Sequence, residues 1–474
     1  MRVATSVSAT ASTNKCARRR LAQLSVGGRT ISSQGRAAAF TERACLLACL
    51  IDDGGHALAA YDLHPALLAL NIPVTNPRQL HKMPSMMKIA LPALAAASGA
   101  YAACSTSATM TIQNAGDASA IASCSTFSGN IAIATGTTDD ISLNGVKKID
   151  GNLVATDNSD MKQISASDLE ELDGEMQLDG LTRLYAVNFP KLKSVDSIKW
   201  NALPNLQEIG FTAEVTKANK VDIQNTALRS LKGINIEEVD TVFIANNGYI
   251  DEISMQLGNV STSLTLADNN EAVKVDLPNL IWASNLTFRF CASVSVPSLE
   301  RLNGSLGLYN NGFESFAAPN LTSVGEAVAL VANENLSNVS FPMLGKISGN
   351  LQIANNSKLI EVDGFPALKS IGGAFDMSGN FTDVSTPKLN SVSGAFNLQS
   401  TDNVTETCAT YKPLKEKKLI EGGYKCEGKL IDPAGEGHKG TKQGGSDDST
   451  GAASTLSAAT GALSLAAMAA VLLF

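Results

Sequence analysis

The sequence predicts an all-β chain, a right-handed parallel β-solenoid of about thirteen coils closed by a disulfide at each end. Three recurring features predict it. The first is a ladder of apolar positions, Ile131, Leu153, Met176, Ile198, Val221, Val242, Leu264, Leu286, Leu306, Ala329, Leu351, Phe375 and Phe396, spaced 20 to 24 residues apart. That period is typical of stacked-coil proteins. The second is another ladder two residues later: Ile133, Ala155, Leu178, Trp200, Ile223, Ile244, Leu266, Phe288, Leu308, Val331, Ile353, Met377 and Leu398. An apolar i, i+2 pair flanking a polar or small residue marks a strand with one buried face. The third is punctuation. Asn, Asp or Gly follows the second ladder, as in Asn246-Asn247, Asp268-Asn269, Asn310-Asn311, Asn355-Asn356 and Gly379-Asn380. Asparagine tolerates left-handed backbone and bonds its own main chain, so it turns the chain out of the strand. A P-x-L-x-x-(V/I) run then closes each coil, as in Pro319-Asn320-Leu321-Thr322-Ser323-Val324 and the runs from Pro342 and Pro366. Proline fits the turn before a new strand. One coil cannot bury its apolar face alone, so the coils stack; at roughly 4.7–4.8 Å each they make a rod on the order of 60 Å long.

The elements follow in order. Residues 1–85 are Arg-, Ser- and Ala-rich, with no acidic residue before Glu42. They match a mitochondrial transit composition, which the C-terminus contradicts, so translation is expected to start at Met86 or Met87 with the preceding segment non-native or disordered. Residues 86–102 read as a signal peptide: Lys88, the apolar run 89–97, and the cleavage motif Ala100-Tyr101-Ala102. Residues 103–426 are the solenoid with its caps. A short helix begun by Asp117 is expected to cover the first coil. Residues 427–453, rich in Gly, Ser, Lys and Asp, form a flexible stalk. Residues 454–474 are an apolar tail that carries no charge. Small residues, a polar spacer and such a tail signal a glycosylphosphatidylinositol (GPI) anchor, with Gly444, Gly445, Ser446, Ser449 and Gly451 as ω-site candidates. The alternative is an ordinary tail-anchor helix; weak hydrophobicity of an Ala-rich tail argues against it.

Secretion places the cysteines in an oxidising compartment. Two local pairs bracket the coils, predicting the disulfides Cys104–Cys124 and Cys408–Cys426. Each closes a loop near twenty residues, worth about 3 kcal/mol in the loop-entropy account. Cys291 falls in the Asn-turn column and reads as a buried free thiol. Nine N-x-(S/T) sequons occur. Asn259, Asn285, Asn303, Asn320, Asn335, Asn338 and Asn403 are glycosylation candidates, while Asn355 and Asn380 sit in turn columns that enclose them.

The assembled features resemble the fungal GPI-anchored, receptor-L-domain-like proteins of the cell-wall organisation (extracellular-mutant) and sporulation-specific family. The resemblance rests on the signal peptide leading into Cys104, on Thr111-Ile112, Asp117-Ala118 and Ser123-Cys124-Ser125-Thr126, on Gly129-Asn130-Ile131-Ala132-Ile133, and on the repeated coils and anchor signal. It covers residues 87–474; the leader matches nothing in that pattern. It implies a plasma-membrane and wall glycoprotein needed for wall integrity, with no established catalytic residues to carry over.

Function classes narrow accordingly. Net charge is −8, so no nucleic-acid partner is expected, since phosphates demand a basic surface. The run Lys412, Lys415, Lys417 and Lys418 reads as solvated surface. No histidine lies between Cys104 and Cys426, which removes a His-based triad or His-ligated metal from the coils. No catalytic, metal or cofactor residue is therefore nominated. Three readings remain: a structural wall protein, preferred; a module binding glycan or another wall protein along its sheet; and a paired-carboxylate glycan enzyme. For the last, Glu170, Glu171, Asp173, Glu237, Glu238 and Asp240 read as solvated turn residues, and Trp200, one of only two tryptophans, belongs to the inward ladder.

Overall fold

A computed structural model describes residues 104–435 and the backbone of residues 441–442. The expected leader, signal peptide and apolar tail, and the ω-site candidates Gly444, Gly445, Ser446, Ser449 and Gly451, lie outside the described residues. The fold is a parallel β-solenoid of about thirteen coils. One 22-stranded sheet runs the length of the stack, and shorter parallel sheets line another side. Both ladders point inward: Leu153, Met176, Ile198, Leu178 and Trp200 are all fully buried. The P-x-L-x-x-(V/I) run behaves as expected. Its proline opens a turn, and its last residue enters a buried column of Leu302, Val324, Ile347, Ile371 and Val392. A third buried column, Ile141, Ile164 and Val187 followed further along by Ile253, Val275 and Val294, belongs to the shorter sheets.

One coil is out of register with the sequence reading. The sheet pairs Leu306 with Val328 and Leu308 with Leu330, not with Ala329 and Val331. In Val328-Ala329-Leu330-Val331 four apolar residues run together, so alternation alone does not choose a face. The turn downstream chooses it: Asn333 must reach the asparagine column, and a one-residue slip would turn every side chain over.

That column forms a buried ladder. Asn247, Asn269, Asn311, Asn333 and Asn356 each donate Nδ2 to a carbonyl of the preceding coil, those of Ile223, Ile244, Phe288, Leu308 and Leu330. Their Oδ1 atoms accept backbone N–H groups from the coil before, as from Asn311 to Asn333 and from Asn333 to Asn356, both at 2.9 Å. The residue before each turns left-handed: Asn246, Asp268, Asn310, Ala332 and Asn355 all have φ between 53° and 58°. Close stacking also selects glycine. Along Gly349, Gly373, Gly394 and Gly422, a Cβ would strike the backbone of the coil before.

The caps extend the stack as well as cover it. Met110–Ile112 adds a rung before Ile131, and Tyr424–Glu427 adds one after Phe396. Helix α1 (Ala115–Ala120) is capped by Asn114, not Asp117: Asn114 Oδ1 accepts from the Gly116 and Asp117 amides. Asp117 lies in the first turn, where its Oδ2 accepts the Gln113 amide at 2.9 Å. Asn114 thus pairs two of the helix's free amides, and Asp117 ties down the residue before the cap. The second cap is helix α2 (Thr405–Glu416). Its Tyr411 ring packs 4.8 Å from Phe396, and its hydroxyl bonds Thr386 and Val384. Both predicted disulfides are present, with Cα separations of 5.5 and 5.7 Å.

The chain does not leave the fold at Glu427. Lys429 donates to the Asp402 carbonyl, Leu430 is buried, and Leu430–Asp432 pairs antiparallel with Thr441–Lys442. Asn397 Nδ2 donates to the Ala434 carbonyl at 3.1 Å. This segment lies across the outer face of the last coils, which is why Asn397 and Gln399, outward by alternation, are buried.

Candidate functional site: the sheet face and a notch in the turn edge

Two surfaces carry chemistry. The first is the outer face of the large sheet. Its central column reads Gln177, Lys199, Asp222, Phe243, Thr265 and Thr287, each half-buried. The N-terminal part is charged and self-paired: Lys199 lies 3.8 Å from Glu175, and Gln224 donates to Asp222 at 2.7 Å. Further along, the central column passes through Gly307, Ala329 and Gln352 before it reaches Asp376. The Tyr309 ring lies over Gly307, and burial pushes its hydroxyl above the usual range while nearby Arg289 opposes that rise.

The acidic groups read as turn residues mostly belong to this sheet. Glu171 and Asp173 are on the strand Glu171–Asp179 and hold Lys148 at 3.2 and 2.7 Å. Hydrogen bonds to Asp173 and Glu171 raise the Lys148 pKa. Glu238 and Asp240 are on the strand Glu238–Ala245 and accept from Asn259 and Ser261. These carboxylates are engaged as structural partners between coils. Trp200 is fully buried, 5.8 Å from Phe211, in the core role expected of it.

The second surface is on the turn edge, where Glu271, Phe290, Asn310, Gly312, Glu334 and Asn335 line a cavity of about 370 Å³. The repeat pattern marks it only as a short step, Leu286 to Leu306, because it arises from residues that are missing. Counting coil lengths would have found it. Beneath its rim Cys291 occupies the asparagine column as a buried free thiol, as predicted, and burial pushes it up to about 12. Among the described residues, no group of three or more His, Cys, Asp or Glu side chains is placed to hold a metal ion.

The structure sorts the sequons by exposure. Asn303, Asn320, Asn335, Asn338 and Asn403 are exposed, and Asn259 is half-buried. Asn285 is tied into the stack: Nδ2 donates to the Thr262 carbonyl and Oδ1 accepts the Ser305 amide. It belongs to a second ladder, shared with Asn130, Asn152 and Asn350, that the sequence reading missed. Asn355 is exposed, contrary to expectation, because its left-handed turn points it outward while Asn356 goes in.

Fold and surfaces together define a class: a disulfide-capped stack of coils that presents a long sheet face. The Ecm33 family model, described as a GPI-anchored cell wall organization protein, matches residues 85–122, from the signal region through the first cap. "Protein ecm33" of Aspergillus fumigatus is 42% identical over 374 residues, covering 78% of this chain and 92% of the relative. "Cell surface GPI-anchored protein" of Arthroderma benhamiae is 38% identical, covering 71% and 86%. "Sporulation-specific protein 2" of Saccharomyces cerevisiae is 31% identical, covering 66% and 62%. No solved structure matches the chain. The chain belongs to the Ecm33 family of GPI-anchored cell wall organisation proteins.

Proposed function

We propose that this protein is a non-catalytic surface glycoprotein that supports wall organisation by holding wall glycan or wall proteins along its outer face. The observation that carries the reading is the unbroken sheet, which offers an extended, rigid contact surface instead of enclosing a small substrate. Carboxylates on that face that bond lysine, asparagine or serine of the stack support a structural role for them. In this reading residues 86–102 are removed on secretion, one of Gly444, Gly445, Ser446, Ser449 and Gly451 receives the lipid, and the exposed sequons carry N-glycans. The test is replacement of exposed carboxylates, Glu171, Asp173, Glu238 and Asp240 singly by Asn or Gln, in a strain that depends on the protein for resistance to wall-perturbing dyes. Each variant is expected to fold, reach the surface and restore resistance. One that folds and is displayed but restores nothing would move the balance to a wall-remodelling enzyme.

A further inference from the structure

The repeat breaks at one coil in three ways at once. The step from Leu286 to its partner Leu306 is 20 residues, the shortest in the stack. Its outer turn is the missing part. Only Ala292 separates Cys291 from the strand at Ser293, whereas residues 270–273 and 312–314 fill that place in the coils on either side. Its left-handed position carries Phe290 at φ 55°, where the flanking coils use Asp268 and Asn310. An aromatic residue there is a conformational outlier with a backbone cost. Its column position carries Cys291 instead of asparagine. Local rules given up at three adjacent positions point to a demand other than folding.

The space left is the notch, and its lining is specific in kind. Phe290 offers a ring, Glu271 stands on one side, Glu334 and Asn335 on the other, and Asn310 between. Two carboxylates line it, and the neighbouring Lys358 Nζ is held by Asn335 Oδ1 at 2.7 Å, so anions are disfavoured. Carboxylate and amide oxygens accept from hydroxyl groups, and an aromatic face receives C–H groups. At about 370 Å³ the notch sits at the small end of ligand sites, roughly 300–1,000 Å³. We propose that it is a saccharide site for one or two neutral pyranose residues, stacked on Phe290 and bonded by Glu271, Glu334 and Asn310. Two sources supply that chemistry. One is wall polysaccharide. The other is the chain itself, because Asn335 lines the notch and begins a sequon, its Nδ2 donating to the Gly312 carbonyl of the neighbouring coil at 3.3 Å. The inference rests on the wall reading only for its choice of probes.

The experiment uses mature protein purified from cells, as wild type and as Asn335→Gln, each with and without Phe290→Ala. Alanine already occupies this position at Ala202 and Ala332, so the fold is expected to survive, and thermal melting checks it. The Asn335→Gln pair is tested by saturation-transfer NMR with laminarihexaose, chitohexaose and mannohexaose. The wild-type pair is tested by the rate at which endoglycosidase releases native glycan from Asn335 relative to exposed Asn320. Either of two results supports the site: a hexasaccharide contact weakened roughly tenfold by Phe290→Ala, or release at Asn335 roughly tenfold slower than at Asn320 and equalised by Phe290→Ala. The first names a free ligand and the second a tethered one. No hexasaccharide contact, with equal release or an unoccupied Asn335, overturns the proposal. Cleavage of a probe in the same spectra would overturn the non-catalytic reading and leave the site standing.

Discussion

Cys291 shows how much one residue decides in a stacked fold. Its amide donates to Asn311 Oδ1 at 2.9 Å, but its thiol turns to the Arg289 carbonyl of its own coil at 3.6 Å instead of to the coil before, where the column's asparagines donate. Asparagine is close in volume. Cys291→Asn is therefore expected to complete the ladder and raise unfolding free energy by about 1 kcal/mol, the usual net worth of a buried hydrogen bond. Denaturant titration measures it, and a loss of stability would contradict the ladder account. The same variant tests pH dependence. The native thiol stays neutral until about 12, because burial opposes the thiolate, whereas an unfolded cysteine ionises near pH ~8.5. Only the unfolded state releases the proton in that window, so stability falls as pH rises through it. Tyr411, also pushed up to about 12 by burial, adds to the fall once its unfolded value near pH ~10 is passed. Wild type should lose stability more steeply than Cys291→Asn above pH ~8.5; parallel profiles would show that the thiol does not titrate differently on folding. On the acid side Asp168, held at about 2 by Lys191 and then by the Gly145 amide and Ser167 hydroxyl, keeps its favourable interaction above the ordinary carboxylate range. That interaction fades as pH falls toward 2, and exposure to salt keeps it weak.

At the scale of the element, the strands were legible because alternation and period both repeat, and the departures have local causes. In Val328-Ala329-Leu330-Val331 the alternation vanished, so the reading slipped by one residue. The structure makes a sharp prediction from this. Leu330→Asp buries an unpaired carboxylate and should destabilise by more than about 4 kcal/mol, whereas Val331→Asp, on the half-buried outer side, should cost about 1 kcal/mol or less. Melting of the two variants separates the registers, and the reverse order would restore the other one. The caps were legible as cysteine pairs and, at the first coil, as a short helix. Met110–Ile112 and Tyr424–Glu427 are single strands with no partner of their own kind in the pattern. Aspartate and asparagine are both favoured caps, and Asn114 prevails over Asp117 because it lies one residue before the helix and reaches two amides. The C-terminal crossing is polar and irregular in sequence, so nothing marked it as packed. Because Tyr411 and Tyr424 both sit on Phe396, the Cys408–Cys426 bridge should matter most to the final coils. Cys408→Ser with Cys426→Ser is expected to speed amide exchange in residues 396–430 while the central coils keep their protection. Uniformly faster exchange would mean that the stack unfolds as one unit.

At the scale of the molecule, the long-range order follows from one repeated unit, which is why the architecture could be read from spacing alone. The candidate site was hidden for the same reason: the notch is a local shortfall of residues, visible only when neighbouring coils are laid side by side. The central claim is that the solenoid works by being held at the cell surface. The direct test is dye resistance of a gene-deleted fungal strain given either the full chain or a chain ending at residue 455, before Leu456. The account predicts that the shortened protein is folded, appears in the medium and does not restore resistance, while the full chain does. Full rescue by the secreted form would contradict it.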